Sequence, residues 1–340
     1  MSDIDRELTR ALTGPFTFAT TLDLGSNHRY VVFSDQHKGA GDKADEFRKC
    51  RDTYVSALEY YRDRGFTLIL LGDVEELWEQ GFKAVKKEYD AVLRLEGNFA
   101  AGRYFRVWGN HDDQWMNNAD VWKYLTPYMP TGAVYEGLRL ELERDGERLG
   151  RIFMAHGHQG TFESDKLRGL ARLALKFYRI LQRWFGIGKT SPAEDACLRG
   201  KHDQQMYEWA TKQSDLIMIA GHTHRPVWSS RTHLQKLQQE LHNLNTQPAS
   251  PDRDALIVAK QREVEKRRDR MGDCNDVPMP KPSYFNTGCC RFDDGDITGM
   301  ELENGVLRLI KWSAPTGGTA PGRIVLEEEA VEAIIGRLSQ

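Results

Sequence analysis

Cysteine, long apolar runs and a basic leader are all scarce or missing in this chain, and each absence excludes a class of protein. Five cysteines in 340 residues, an odd number without regular spacing, argue against a disulfide framework and favour a reducing compartment. No apolar run approaches the roughly 18 residues that a membrane-spanning helix needs. The first residues do not join a basic segment to an apolar stretch, so no signal peptide is expected. The sequence therefore predicts a cytoplasmic protein.

Net charge is also small. A formal charge of -3 gives no broad basic surface, so nucleic acid is not expected as a partner. Hydrophobic residues make up 40% of the chain, which is enough for one large α/β domain with insertions. We predict an N-terminal leader over residues 1–27 and one domain over residues 28–340, with insertions at 160–213 and 229–281.

Five polar clusters each follow a short apolar run of the kind that forms a buried parallel strand. The runs are Tyr30–Phe33, Leu68–Leu71, Tyr104–Val107, Ile152–Met154 and Leu216–Ile219. The clusters are Ser34-Asp35-Gln36-His37, Leu71-Gly72-Asp73, Trp108-Gly109-Asn110-His111-Asp112, Met154-Ala155-His156-Gly157-His158 and Ala220-Gly221-His222-Thr223-His224. Ligands of open α/β sheets bind beyond the carboxyl ends of the strands, so we expect these side chains to gather at one rim of one sheet.

The residue types in the clusters indicate a site for two metal ions. Two divalent ions about 3.5–4 Å apart can bind both the attacking and the leaving oxygen of a phosphoryl transfer. Holding them so close requires a bridging carboxylate, and Asp73 is the natural candidate. Imidazoles together with hard oxygen ligands, and no thiolate, suit divalent transition metal ions; manganese is favoured, with iron or zinc as alternatives.

In order and type, the five clusters resemble the calcineurin-like metallophosphoesterase superfamily. The family pattern is D-x-H, G-D, G-N-H-[DE], H and G-H-x-H, and the resemblance covers roughly residues 28–225. The matching residues are Asp35, His37, Gly72, Asp73, Gly109, Asn110, His111, Asp112, His156, Gly221, His222 and His224. The resemblance implies an α/β fold, namely an α/β/β/α sandwich with helical insertions.

The same resemblance implies a role for each residue. Seven would hold the metals: Asp35, His37 and His224 the first, Asn110, His156 and His222 the second, and Asp73 both. A hydroxide that bridges the metals would be the nucleophile. His111 would contact the phosphate and protonate the leaving oxygen, and Asp112 would orient that imidazole and raise its pKa.

Other polar residues near the clusters allow two interpretations each. Glu75 and Glu76 are expected to begin a helix, although either could hydrogen-bond to a metal-binding histidine. His158 fits either a contact behind the metal ligands or a structural turn. Four histidines are expected in the core or on the surface without a functional role: His28, His202, His233 and His242.

Both insertions carry helical patterns. Lys166–Phe185 combines an apolar stripe with a basic face, which fits a lid over the site, a helix docked on another subunit or a membrane-surface helix. An ordinary amphipathic helix packed on its own domain is the alternative. Leucines spaced 3, 4 and 3 from Leu234 to Leu244, followed by a charged segment, predict a helical hairpin in 229–281.

Within the superfamily, the chain most resembles UDP-2,3-diacylglucosamine hydrolase-like enzymes, which carry arginine where this chain has His111. The resemblance rests on Gly221–Pro226, on Asn286–Gly288 and on the amphipathic insertion. It implies hydrolysis of a phosphoester or pyrophosphate bond in a phosphorylated small molecule, a nucleotide or a lipid-linked substrate, with peripheral contact at the inner membrane face as one location. A DNA-processing nuclease and a metal-binding interaction scaffold are the alternatives, and the oligomeric state is left open.

Overall fold

The computed structural model describes residues 2–99, 102–129, 132–160, 192–271, 279–314 and 320–338. The strands are β1 (Thr17–Asp23), β2 (Arg29–Phe33), β3 (Thr67–Leu71), β4 (Tyr104–Val107), β5 (Val134–Tyr135), β6 (Gly137–Arg144), β7 (Glu147–Ala155), β8 (Leu216–Ala220), β9 (Val227–Trp228), β10 (Arg231–Thr232), β11 (Tyr284–Asn286), β12 (Ile297–Glu303), β13 (Val306–Ser313) and β14 (Gly322–Ala330). The longer helices are α1 (Asp3–Thr13), α2 (Arg51–Asp63), α3 (Phe82–Gly97), α4 (Pro192–Thr211), α5 (His233–Asn245), α6 (Pro251–Met271) and α7 (Val331–Leu338). Short helical turns occupy Glu46–Lys49, Asp113–Met116, Asn118–Asp120 and Val121–Leu125.

The described strands form two seven-stranded sheets. Sheet 1 has the order β14-β13-β12-β2-β3-β4-β5, and sheet 2 has the order β1-β6-β7-β8-β11-β9-β10. Strands β2, β3 and β4 run parallel in sheet 1, and β7, β8 and β11 run parallel in sheet 2. All five residues of β3 and all five of β8 are buried, which explains their unbroken apolar sequences.

Helices cover the outer faces of the two stacked sheets. Ile69 of sheet 1 and Ile217 of sheet 2 belong to one apolar layer between the sheets. Leu58 of α2 and Leu93 of α3 pack on the outer face of sheet 1, in a second apolar layer. A third layer joins α1 and α4, through residues such as Trp209, to the outer face of sheet 2. This is the expected α/β/β/α sandwich.

The structure corrects the expectation that the polar clusters lie at the rim of one sheet. Strands β2, β3 and β4, which precede the first three clusters, belong to sheet 1. Strands β7 and β8, which precede the last two, belong to sheet 2. The pattern of apolar runs reports parallel neighbours but not which strands share a sheet, so only the structure reveals this division.

The predicted leader and second insertion both contain regular structure. In the leader, β1 pairs with β6 over seven residues, and α1 begins with a capping box between Ser2 and Asp5. In the insertion, α5 and α6 are linked by an ion pair between Glu240 and Lys260. The domain boundaries themselves stay predictions.

The helix expected at Lys166–Phe185 lies outside the described residues. Among the helices that are described, none is long and apolar enough to cross a membrane.

Candidate metal centre

The loops that follow β2, β3 and β8 turn through the left-handed backbone region at the predicted metal ligands. Five of the nine non-glycine residues with positive φ in the described part of the chain are such ligands: Asp35, His37, Asp73, His222 and His224. Aspartate and histidine tolerate this region better than most residues, but each such position still costs about 1–3 kcal/mol. At the rim beyond β2, these turns leave Oδ1 of Asp35 3.9 Å from Nε2 of His37.

Glycines make room for the ligands. A Cβ atom on Gly72 would overlap the His156 ring, and one on Gly109 would overlap the Asp73 carboxylate. Gly72 also has a φ of 85°, which a side chain would strain. The glycines of the G-D and G-N-H motifs are therefore required by the close packing of the ligands around them.

Ligand atoms gather in two main groups, each with its members within 4.8 Å of one another. The first group is Asp35, His37 and His224, and the second is Asp73, His156 and His222. The first group contains the three residues predicted for the first metal, and the second contains the predicted bridge Asp73 with two of the three residues predicted for the second metal. Strands of both sheets contribute to each group, so the site forms only when the sheets stack.

Asp73 lies between the groups. Its Oδ2 atom is 3.2 Å from Nε2 of His156 and 3.5 Å from Nε2 of His37, which belongs to the other group. Its Oδ1 accepts a hydrogen bond of 2.8 Å from the backbone of His111. One carboxylate oxygen therefore faces ligands of both groups, as a bridging residue requires.

The hydrogen bonds of the imidazoles fix which nitrogen is left for a metal. Nδ1 of His156 lies 2.9 Å from the carbonyl oxygen of Leu71, and Nδ1 of His37 lies 3.0 Å from Glu76. Because these oxygens only accept, both Nδ1 atoms carry the proton. Such partners are characteristic of metal-binding histidines, and they direct each Nε2 atom toward the candidate site.

Three buried atoms at the centre have no hydrogen-bond partner among the described residues. They are Nε2 of His37, Nε2 of His156 and Oδ1 of Asn110. A buried polar atom without a partner costs about 1–3 kcal/mol, so its retention needs an explanation. Divalent cations at the two groups would satisfy the two imidazole nitrogens, and the residues present fit such ions.

The carboxylates and imidazoles shift one another's protonation. Burial opposes the charged form of His156, but the Asp73 and Asp35 carboxylates outweigh it and raise the pKa of His156 to about 10. In His224, burial and the nearby Arg291 charge dominate and lower the pKa to about 4. The concentration of negative charge therefore lies around Asp73 and Asp35, where cations would be most strongly attracted.

His111 is held by Glu76, not by Asp112. Nδ1 of His111 lies 2.8 Å from the Glu76 carboxylate, which also contacts His37. The His111 ring stacks on Trp78 with centroids 4.3 Å apart. Burial opposes the charged form of Glu76, but hydrogen bonds with the two histidines outweigh it and hold its pKa well below the ordinary value. Glu76 therefore joins a metal ligand to the predicted acid.

The predicted pairing of Asp112 with His111 needs correction. The Asp112 carboxylate accepts hydrogen bonds from the backbone of Gly109, at 2.6 Å, and of Val74, at 2.9 Å. Burial, and then the charges of Asp73 and Glu75, raise its pKa to about 7. Asp112 thus fixes the loops that carry Asp73 and Asn110, and it acts on His111 only through the backbone.

The expectation that Glu75 and Glu76 begin a helix is wrong. Glu75 is instead fully buried, with its Oε2 atom 2.5 Å from Arg106 and 2.9 Å from Nε1 of Trp115. Lys38, next to the ligand His37, is also fully buried and donates to Glu96 of α3 at 2.6 Å. Nothing in the local sequence marks this ion network, because its members come together only through the fold.

Two further histidines, His158 and His202, lie on the sheet 2 side. His158 is buried with its ring 5.4 Å from that of His156, behind the second group. Nε2 of His202 lies 2.5 Å from the carbonyl oxygen of Gly157, and its ring is 5.0 Å from that of His222. His202 therefore has a supporting contact that the sequence did not predict, and helix α4 provides it.

Comparison with solved structures finds distant likenesses. Vacuolar Protein Sorting 29 from Cryptosporidium parvum is 12% identical with a TM-score of 0.37, over 89% of this chain and 98% of that one. A predicted phosphoesterase from Streptococcus pneumoniae TIGR4 is 13% identical with a TM-score of 0.29, over 88% and 98%. A dimetal phosphatase from Danio rerio is 9% identical with a TM-score of 0.37, over 88% and 99%. Likenesses this remote do not bear on function.

Sequence comparison is more specific. No curated protein matches the chain. A family model described as calcineurin-like phosphoesterase matches residues 28–226, which is more than half of the chain and contains every predicted metal ligand. The chain therefore belongs to the calcineurin-like phosphoesterase family.

Proposed function

We propose that the protein is a hydrolase that cleaves a phosphoester or pyrophosphate bond with the help of two divalent transition metal ions. The observation that carries the proposal is the position of Asp73. Its Oδ2 atom faces Nε2 of His37 and Nε2 of His156, and neither nitrogen has a hydrogen-bond partner in the described structure. A carboxylate between two unsatisfied ligand sets suits a pair of cations.

Each residue has a distinct task in this proposal. Asp35, His37 and His224 would hold one cation, and Asn110, His156 and His222 the other, with Asp73 shared. When bound, the cations supply Lewis acidity toward the phosphoryl oxygens and a water of lowered pKa. Both ions are proposed to be manganese, with iron or zinc as alternatives, because the ligands are imidazoles and hard oxygens.

His111 would deliver the proton that the leaving oxygen needs. With Nδ1 bonded to Glu76, the nitrogen that remains for a substrate is Nε2. The Glu76 carboxylate accepts the hydrogen bond from Nδ1, and the stack on Trp78 restricts the orientation of the ring. An imidazole held in this way is suitably placed to act as a general acid for alkoxide leaving groups.

The substrate class is a narrower proposal. A phosphorylated small molecule or a lipid-linked substrate, as in UDP-2,3-diacylglucosamine hydrolase-like enzymes, is supported by the basic, amphipathic sequence of residues 166–185. The same segment supports a cytoplasmic protein that touches the inner membrane face. Replacing Arg172, Lys176 and Arg179 by Glu should weaken binding to anionic vesicles and spare turnover of a nitrophenyl ester. Unchanged vesicle binding would favour a soluble substrate.

Two other functions are less well supported. An interaction scaffold has no need for seven ligand-type residues or for the Glu76–His111 pair behind them. A DNA-processing nuclease would be favoured by metal-dependent cleavage of duplex DNA, and the near-neutral charge of the chain gives no support for it.

A combined metal and activity measurement tests the proposal. Protein loaded with Mn²⁺ should retain two ions per chain and hydrolyse nitrophenyl mono- or diesters or a UDP-diacylglucosamine-like pyrophosphate. His156→Ala should lose one of the two ions and the activity together, whereas His242→Ala, a change of an exposed histidine on α5, should lose neither. A wild-type protein that binds no metal, or a His156→Ala variant with full metal content, would refute the proposal.

A further inference from the structure

Thr223 stands between two ligands that serve different groups. His222 belongs with Asp73, and His224 belongs with Asp35. Both histidines have left-handed backbones, with φ of 67° and 56°. Because the two imidazoles are attached on either side of Thr223, any rotation of its backbone would move them relative to each other.

The Thr223 side chain is held from two directions. Its hydroxyl donates a 2.9 Å hydrogen bond to Oδ1 of Asp203 on α4. It accepts a 3.1 Å hydrogen bond from Nδ2 of Asn286 at the end of β11. Thr223, Asp203 and Asn286 are all buried, and the Tyr284 hydroxyl also donates to Asp203. A helix outside sheet 2 and a neighbouring strand within it thus meet on one hydroxyl.

The surrounding backbone is held by the same elements. Nδ2 of Asn286 lies 2.6 Å from the carbonyl oxygen of Gly221, and the backbone N–H of His222 donates to the Asp35 carboxylate of sheet 1 at 3.0 Å. The strained loop is therefore tied to α4, to β11 and to the opposite sheet. Thr223 is its only side chain between the two ligands.

We infer that Thr223, clamped by Asp203 and Asn286, is a positioning residue that sets the separation of the two metal ions, an inference that rests on the proposed function. None of the three clamp residues is a predicted metal ligand. It acts by fixing the directions in which His222 and His224 leave the loop. Residues behind metal ligands commonly change metal affinity by 10–100-fold when replaced, and this one acts on both groups at once.

A series of substitutions at Thr223 tests the inference. Thr223→Val keeps the shape and removes the hydroxyl, Thr223→Ser keeps the hydroxyl, and Thr223→Cys offers a weaker hydrogen-bonding group. Titration with Mn²⁺ should show an affinity about 10–100-fold lower for the valine variant, a smaller loss for cysteine and nearly full affinity for serine. The spectroscopic signal of magnetically coupled Mn²⁺ pairs, measured at equal loading, should weaken in the same order because the coupling depends on metal separation.

The control is Tyr61→Phe, which removes another buried hydroxyl that donates to a buried carboxylate, that of Glu301 on β12. It should lower thermal stability in EDTA comparably and leave Mn²⁺ affinity and coupling unchanged. Wild-type affinity and coupling in Thr223→Val would overturn the inference while leaving the proposed function intact. If the valine variant does not fold, the cysteine and serine variants test the inference. Wild-type Mn²⁺ affinity and coupling in both would overturn it, and a loss confined to the cysteine variant supports it. A wild-type protein without bound Mn²⁺ would overturn both proposals.

Discussion

The two sheets support their shares of the metal centre with different chemistry. Behind sheet 1, the support is ionic: Lys38 pairs with Glu96, and Arg106 pairs with Glu75, with all four side chains nearly or fully buried. Behind sheet 2, hydroxyl and amide groups surround a single carboxylate, Asp203, whose other oxygen lies 3.6 Å from the guanidinium of the partly buried Arg225. The carboxylate ligands come from sheet 1, and most of the imidazoles come from sheet 2.

This difference shows where the fold can stabilise buried charges. Sheet 1 carries Asp35 and Asp73 at its rim. Burial opposes the charged form of Glu75, but the buried cations Arg106 and Lys38 behind the two aspartates offset its charge and lower its pKa. The loops of sheet 2 carry imidazoles instead of carboxylates and need direction more than charge compensation. An ionic support is costly to break, whereas a hydrogen-bonded support is cheaper to break but more directional.

The largest effect is expected at the residue shared by both groups. Asp73→Asn keeps the shape but removes the negative charge available for bridging, so both ions should be lost and activity should fall by about 10³-fold or more, equivalent to about 4 kcal/mol. His156→Ala, from sheet 2, should retain one ion. Elemental analysis and initial rates measure this, and full metal content in Asp73→Asn would remove the assignment of a bridge.

His111→Ala should retain both ions and lose about 10²–10⁴-fold in rate with alkyl phosphate esters, with a smaller loss for nitrophenyl esters that need no proton. Glu76→Gln should lower both the rate and the metal affinity, because Glu76 contacts His111 and His37. Leaving-group series and metal titration together separate the two variants. Equal losses for good and poor leaving groups would assign His111 an electrostatic role instead of proton transfer.

Lys38→Met tests the ionic support. It leaves Glu96 buried without its partner, and it should lower the free energy of unfolding by about 3–5 kcal/mol in EDTA. Thr223→Val, on the sheet 2 side, should cost only about 1–3 kcal/mol under the same conditions. Urea unfolding gives both values. Equal losses in the free energy of unfolding for Lys38→Met and Thr223→Val would contradict the difference between the two supports.

The smallest effect is expected at an exposed lysine–carboxylate pair beside sheet 2. Lys212, after α4, donates to Asp5 of α1 at 2.8 Å with 57% of its side chain exposed. Lys212→Met should therefore cost only about 0.2–1 kcal/mol. The hydrogen bond from Lys212 lowers the pKa of Asp5. The stabilisation from the Lys212–Asp5 pair should be present above the pKa of Asp5 in the unfolded chain, near 4. It should fade as the pH falls through the lower pKa of Asp5 in the folded protein. If Lys212→Met lowers the free energy of unfolding equally at pH 7 and pH 3, this expectation is wrong.

The sequence predicted the sandwich through its resemblance to a known family, and it predicted that the ligand-type residues gather because each cluster directly follows a strand. It could not predict the division between two sheets, since an apolar run shows burial but not its neighbours. Nor could it predict Glu76 as the partner of His111, which depends on the left-handed turn at Asp73.

The supports behind the ligands were the least predictable part of the site. Lys38 and Glu96 are 58 positions apart, and Asn286 is 63 positions from Thr223. Lysine and glutamate are usually solvated, so a local pattern offers no reason to bury either. Lys38 and Glu96 become partners only because α3 packs close to sheet 1. Thr223 and Asn286 become partners only because α4 and β11 lie close to the loop after β8.

The glycines beside the ligands have a consequence for how such proteins diversify. Gly72, Gly109 and Gly221 bear no reactive group, yet a methyl group at any of them would overlap a metal ligand. In a saturation mutagenesis screen for turnover, these three positions should tolerate replacement as poorly as the ligands themselves. The glycines of the motif are thus required because the space beside the ligands cannot hold a side chain. Relatives that exchange one ligand for another have to do so within the same space.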